Sequence, residues 1–205
     1  ISLGIGSWDS KRFSMVRNLQ DAVRNHGQVD LMNDKERGKV AVKRMPTRWV
    51  KTGPKEFASQ YPQASERPWV DMGIVKHLNG HGYPFVCELL GVFIDKEESF
   101  VVTSFCTEGD LFSWCDRDTP PGKQREQVMA PIVAQIFNAV RFLHELGIAH
   151  RDLSLENILL TKTPQGELQV KVIDFGMATL QRMCRKEVRG KQSYTAPEMH
   201  LDAEY

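Results

Sequence analysis

At 205 residues, with 41% hydrophobic and 26% charged side chains, the chain can bury a core unaided, which excludes disordered and collagen-like classes. Its 27 Lys+Arg against 26 Asp+Glu leave a net charge of +1, too little basic field to hold a nucleic-acid backbone, and no apolar run reaches the roughly 18 residues of a membrane span. Nucleic-acid binding and membrane spanning are therefore not expected. Cys87, Cys106, Cys115 and Cys184 form no C-x-x-C pair, so a reduced, cytoplasmic compartment is expected rather than a disulfide framework.

In chain order, Gly38-Lys39-Val40-Ala41-Val42-Lys43 follows the turn-like Asn33-Asp34-Lys35-Glu36-Arg37, which predicts a hairpin ending in a strand that carries Lys43. Prolines 46, 54, 62 and 68, with Gly53, Ser59 and Ser65, predict mostly linker over 46–69. A helix is predicted over Val70–Leu78. Phe85–Phe93 and Phe100–Phe105, separated by the polar Asp95–Ser99, read as an antiparallel pair. The period then changes. Ile132, Ile136, Val140 and Leu143 fall at helical spacing over Gln127–Leu146, and Gly147 stops the helix. Ile158-Leu159-Leu160 and Leu168–Ile173 are short apolar strands around the turn Thr163-Pro164-Gln165-Gly166. A strand-rich first half (1–103) joined to a helix-rich second half (104–205) implies two lobes of an α+β fold, with a ligand expected between them.

Four segments then occur in order: Val40-Ala41-Val42-Lys43, His150-Arg151-Asp152 with Asn157 five residues after the Asp, Asp174-Phe175-Gly176, and Ala196-Pro197-Glu198. Together, and with Phe142–Ile148 leading into the second, they resemble the signature set of the eukaryotic protein kinases, V-A-I-K, H-R-D-x-x-x-x-N, D-F-G and A-P-E. The H-R-D-L-S-L-E-N form is similar to that of protist kinases. The resemblance implies the two-lobed kinase fold and phosphoryl transfer from ATP to a protein substrate. That chemistry asks a protein to position the nucleotide, neutralise its phosphates and aim an acceptor hydroxyl. By the same resemblance Lys43 would hold the α/β-phosphates, Asp152 would accept the hydroxyl proton, and Asn157 and Asp174 would ligate Mg²⁺ through oxygen. Thr103 would be the gatekeeper. Ser104-Phe105-Cys106 would face the adenine edge with Asp110 near the ribose, and Ala41 and Leu159 would line the nucleotide. Val75, Leu89, His150 and Phe175 would form the stack linking the lobes.

Four departures from the family pattern stand out. For the glycine-rich phosphate loop there are two candidates. Leu3-Gly4-Ile5-Gly6-Ser7-Trp8 resembles L-G-x-G-S-F and is preferred, although Asp9 replaces the third Gly and Lys43 lies far downstream. The alternative is Ala22–Val29, where only Gly27 matches but the spacing to Lys43 is right. The carboxylate pairing with Lys43 is expected to be Asp71, with Glu66 as the fallback. Ser154 stands where Ser/Thr kinases carry a Lys two residues after the catalytic Asp, and Lys191 stands where they carry a Thr before A-P-E. The cation is therefore expected to have moved from 154 to 191. Apart from these four, Glu187 falls at the site of an activating phosphothreonine, which implies pairing with Arg151 and activity without phosphorylation.

Glu156 before Asn157 and the Gly190-x-x-x-Tyr194 spacing resemble Ser/Thr rather than Tyr kinases. The expected function is an ATP- and Mg²⁺-dependent Ser/Thr protein kinase; the alternative is a pseudokinase that binds partners without transferring phosphate. Sequence ends seven residues after Glu198, whereas kinases continue through several more helices, so the 205 residues are expected to be part of a longer catalytic domain.

Overall fold

Strand alternation in the first half and helical spacing in the second resolve into two units in the computed structural model, Ile1–Gly82 with Cys87–Phe105 and Tyr83–Val86 with Cys106–Tyr205. The structure describes residues 3–22, 27–64, 66–117, 120–184 and 188–200.

The first unit is a six-stranded sheet. Its strands are β1 (Ile5–Ser7), β2 (Phe13–Ala22), β3 (Gly27–Asp34), β4 (Gly38–Pro46), β5 (Leu89–Ile94) and β6 (Glu98–Ser104), in the order β1-β5-β6-β4-β3-β2. All neighbours are antiparallel except β1, which adds to β5 in parallel. The period of two in β4 separates two faces. Val40 and Val42 join Phe13, Met32, Phe100 and Val102 on one face, where the Trp8 ring stacks on Phe13 and Phe100 at centroid distances of 4.3 and 3.8 Å. Met45 joins Val50, Met72, Val92 and Val101 on the other. The predicted hairpin and the antiparallel β5–β6 pair are both present, with β5 beginning at Leu89 rather than Phe85.

The stretch expected to be linker holds two short helices, α1 (Thr47–Lys51) and α2 (Pro54–Gln60), ahead of α3 (Pro68–Gly80). The prolines were misleading because Pro54 and Pro68 occupy the first turns of α2 and α3, where a missing N–H costs no helical hydrogen bond. The helices α1 and α2 are held by an aromatic cluster in which Trp49, Phe57 and Tyr61 lie 5.0 to 5.8 Å apart, and the indole N–H of Trp69 donates to the Trp49 carbonyl at 3.1 Å.

Charged groups brace the strands. Arg12 grips the buried Asp34 with two parallel bonds, Nε to Oδ1 at 2.8 Å and Nη2 to Oδ2 at 2.7 Å, and the Arg12 hydrogen bond holds the Asp34 carboxyl below its ordinary value. A carboxyl depressed on folding stabilises fully above its unfolded pKa, about 3.9, and loses that contribution as pH falls through the folded value. Asp34→Asn is thus expected to cost about 1–3 kcal/mol at neutral pH and to narrow the gap between melting temperatures at pH 7 and pH 3. Thermal melts of both proteins at the two pH values check this.

The second unit pairs a three-stranded antiparallel sheet, β7 (Gly109–Asp110), β8 (Ile158–Lys162) and β9 (Leu168–Val172) in that order, with α4 (Leu111–Arg117) and the long α5 (Lys123–Glu145). Ile132, Ala139 and Leu143 make the buried stripe of α5. Gln135 completes the edge of β9, its amide nitrogen donating to the Leu168 carbonyl and its oxygen accepting from the Val170 N–H, both at 2.9 Å. Gly147, at φ 71°, ends the helix as expected. The Ile148 N–H returns to the Leu143 carbonyl at 2.8 Å, a left-handed glycine cap. Tyr83–Val86 belongs to this unit because the buried Tyr83 hydroxyl donates to Ala139 O at 3.0 Å and Phe85 O accepts from Val172 N. No helix among the described residues is long and apolar enough to cross a membrane.

Candidate active site

Lys43 sits on β4 between Val29 of β3 and Val101 of β6, on the face that carries Met45. The same face is covered by α3 through Met72, and one residue before Met72 on that helix is Asp71. The Lys43 ammonium meets Asp71 Oδ2 at 3.3 Å. The shorter carboxylate thus reaches the lysine. Glu66, the fallback, is buried just ahead of the helix. Ala41 lies opposite Leu31 and Thr103. Ser104 is drawn into the strand pairing, its N–H donating to Glu88 O and its Oγ accepting from the Glu88 N–H, each at 3.0 Å.

The structure does not support the preferred phosphate loop. Gly4 and Gly6 belong to the β1 segment at the sheet edge, with β5 and β6 between it and β4. A Cβ on Gly6 would lie 3.1 Å from the Phe93 ring, so this glycine fits a strand against an aromatic side chain rather than a turn around an anion. The hairpin beside the Lys43 strand is instead β2–β3, the alternative stretch. Its residues 23–26 lie outside the described ones, and Gly27 opens β3. A Cβ there would sit 1.9 Å from the Arg44 carbonyl oxygen, so only glycine lets β3 approach β4 this closely. The groove of about 730 Å³ beside α1, lined among others by Trp8, Thr47, Arg48, Asp95 and Lys96, contains none of the motif residues.

In the second unit the motif residues converge on the loop between α5 and β8. His150 accepts the Asp152 N–H at Nδ1 (3.2 Å) and faces the Ile173 carbonyl through Nε2 (3.0 Å). An amide can only donate and a carbonyl only accept, so the ring is the neutral tautomer protonated at Nε2. It also packs on Phe175 at 4.9 Å, which joins two members of the expected stack. Val75 and Leu89, the other two, lie in the first unit. Asp152 is buried, and Asn157 Nδ2 donates to its main-chain oxygen at 2.7 Å. The Ile173 N–H in turn donates to Asn157 O at 3.0 Å, tying Asp174, at φ 63°, to the same loop. Asp110 pairs with Leu159 across β7–β8, and its Oδ1 accepts the Ser113 N–H at 2.8 Å, which caps α4. Cys106 is buried nearby in sequence.

These residues can hold a hard cation. With the amide nitrogen of Asn157 committed to Asp152, its side-chain oxygen is the atom left to ligate, and the Asp174 carboxylate is the second candidate ligand. No cluster of three or more His, Cys, Asp or Glu among the described residues could hold a metal alone. One carboxylate and one amide oxygen match the way Mg²⁺ binds, through few protein ligands plus water and phosphate.

Lys191 is held against the catalytic loop. Its Nζ donates to Ser154 Oγ at 2.9 Å and pairs with Glu156 Oε2 at 3.0 Å. Burial pushes the Glu156 carboxyl up, but its own backbone amide, Lys191 and Ser154 together bring it below the ordinary range. In the sequence Glu156 marks only acceptor specificity; the structure adds that it is a partner of Lys191, and an acid four residues after Asp152 together with the new lysine is the signal that points to the pair. Arg151, at φ 66°, donates from Nε to Met177 O at 2.9 Å and from Nη1 to Cys184 Sγ at 3.6 Å. Glu187, its expected partner, lies outside the described residues, as do 185 and 186.

Residues 25–205 match the family model for the protein kinase domain. Over 131 residues the chain is 33% identical to calcium-dependent protein kinase 12 of Oryza sativa subsp. japonica, which covers 63% of this chain and 24% of that protein. It is 35% identical over 131 residues to calcium/calmodulin-dependent protein kinase type IV of Homo sapiens, covering 63% and 26%. Myosin light chain kinase A of Dictyostelium discoideum is 34% identical over 132 residues, covering 63% and 42%. The matched stretch spans about a quarter of the length of the first two relatives.

Proposed function

The chain belongs to the protein kinase domain family, and on that premise we propose that it is an ATP- and Mg²⁺-dependent serine/threonine protein kinase. The observation that carries this is the bonded loop of unit two, in which Asn157 is fastened to Asp152 and, through Ile173, to Asp174. Asp152 takes the proton of an acceptor hydroxyl as its oxygen attacks the γ-phosphorus. The bond from that phosphorus to the β–γ bridging oxygen breaks, and its electron pair leaves with ADP. Lys43, oriented by Asp71, holds the α- and β-phosphates. Bound through Asn157 and Asp174, Mg²⁺ would neutralise charge on the phosphate oxygens. The three relatives named above are kinases by name, and Glu156 directly before Asn157 favours Ser or Thr as acceptor over Tyr.

The second reading, a module that binds nucleotide without transfer, is favoured by one observation, the absence of a lysine at Ser154. One assay separates them: transfer of labelled γ-phosphate to peptides carrying only Ser, Thr or Tyr, with and without Mg²⁺. Label is expected on Ser and Thr peptides, dependent on Mg²⁺, and Asp174→Asn is expected to lower the rate at least about 100-fold. Binding of Mg·ATP with no transfer by the native chain would establish the second reading.

A further inference from the structure

Phosphoryl transfer spreads negative charge over three equatorial oxygens and needs a cation there. Arg151 and Lys191 are basic side chains bonded on or against the loop that carries Asp152. Arg151 is directed to Met177 O and Cys184 Sγ. Lys191 lies on the catalytic loop itself, on the buried Ser154 Oγ two residues past Asp152. The backbone just before it presses on the same place: a Cβ at Gly190 would stand 2.7 Å from Arg151 O and 3.3 Å from Asp152 Oδ1. A lysine has the four-carbon reach and rotatable donors to move from a seat to a phosphate oxygen, and Ser154 and Glu156 provide such a seat.

We propose that Lys191 is the catalytic cation that meets the transferring phosphoryl group, so that charge stabilisation is delivered by the segment after Asp174 rather than by the catalytic loop. Seating that segment on Ser154 and supplying the charge are then one event. The assignment rests on the kinase function proposed above; in the transfer step Lys191 forms no covalent bond, and the acceptor proton still goes to Asp152.

The test uses the full chain with Mg·ATP and a serine peptide, reading kcat, KM for ATP, and the Kd for Mg·ADP by calorimetry. Lys191→Gln keeps a donor for Ser154 but removes the charge. Its kcat is expected to fall about 10²–10³-fold, with KM and Kd changed less than about threefold, whereas Lys191→Arg stays within about tenfold of native. A Lys191→Gln protein that turns over like the native one would overturn the assignment and leave the kinase function standing. Absence of transfer by the native chain would overturn both. Where Lys191→Gln fails to fold, the exchange Ser154→Lys with Lys191→Ser decides: kcat within about tenfold of native supports a cation needed at this point, and a loss of 10²-fold or more overturns it.

Discussion

Asp152→Asn is expected to lower kcat about 10³-fold with little change in fold or nucleotide affinity. The expectation follows from how Asp152 is held. Its main chain carries the structural bonds: the N–H donates to His150 Nδ1 at 3.2 Å, and the carbonyl accepts Asn157 Nδ2 at 2.7 Å. A longer contact of 3.4 Å runs from Asn157 Nδ2 to its carboxylate. An amide of the same shape keeps these two main-chain bonds and loses the ability to take the acceptor proton. General-base loss is worth about 10²–10⁴ in rate. The melting temperature should therefore move by no more than a few degrees, and Mg·ADP should bind within about threefold of native. A variant retaining a tenth or more of native kcat would show that the proton leaves by another route.

Much of both units could be read from the sequence because the signals were local. Alternation in Val40–Lys43, the polar turn before it, and the period of Ile132 to Leu143 each report burial on a single element. The Lys43–Asp71 pair was also readable, since one strand and one helix carry it and the register of α3 decides which carboxylate arrives. The failures share a cause: a residue type with one local preference was used for a tertiary purpose. Pro54 and Pro68 suggested linker but start helices, and what holds those helices is tertiary: the Trp49, Phe57 and Tyr61 cluster for α2 and the packing of Met72 on the sheet for α3, contacts whose members meet only after the chain has folded. Gly4 and Gly6 spell a loop motif but lie in an edge segment, because Trp8 is more stable between Phe13 and Phe100 than exposed on a turn. Gly27 gave the weaker pattern, and its importance is a close approach of two backbones that no spacing rule encodes. At the catalytic loop, the exchange of residue types between 154 and 191 was visible. The involvement of Glu156 was not, because a carboxylate beside Asn157 already had a sufficient explanation.

Gly190→Ala is expected to cost most of the transfer activity, with kcat down about 10²-fold or more. Two effects act at this position and can be separated. The first is conformational: φ is 85°, in the left-handed region where a Cβ costs about 1–2 kcal/mol. The second is steric, since that Cβ would stand 2.7 Å from the Arg151 carbonyl oxygen. Arg151 cannot readily give way. It is itself at φ 66° and is fastened through Nε to Met177 O at 2.9 Å. The segment must therefore move off the loop, taking Lys191 from Ser154 and disturbing Asp152, whose Oδ1 would lie 3.3 Å from the new carbon. Gly166 supplies the control. It has the same φ of 85°, in the turn between β8 and β9, but a Cβ there meets nothing within 4 Å. Gly166→Ala should lose the conformational part alone, about 1–2 kcal/mol of stability, and keep kcat within about twofold. Melts and steady-state kinetics on the two variants give the comparison. Equal kinetic losses would place the effect in general destabilisation, whereas loss confined to Gly190→Ala locates it in the seating of the segment on the catalytic loop.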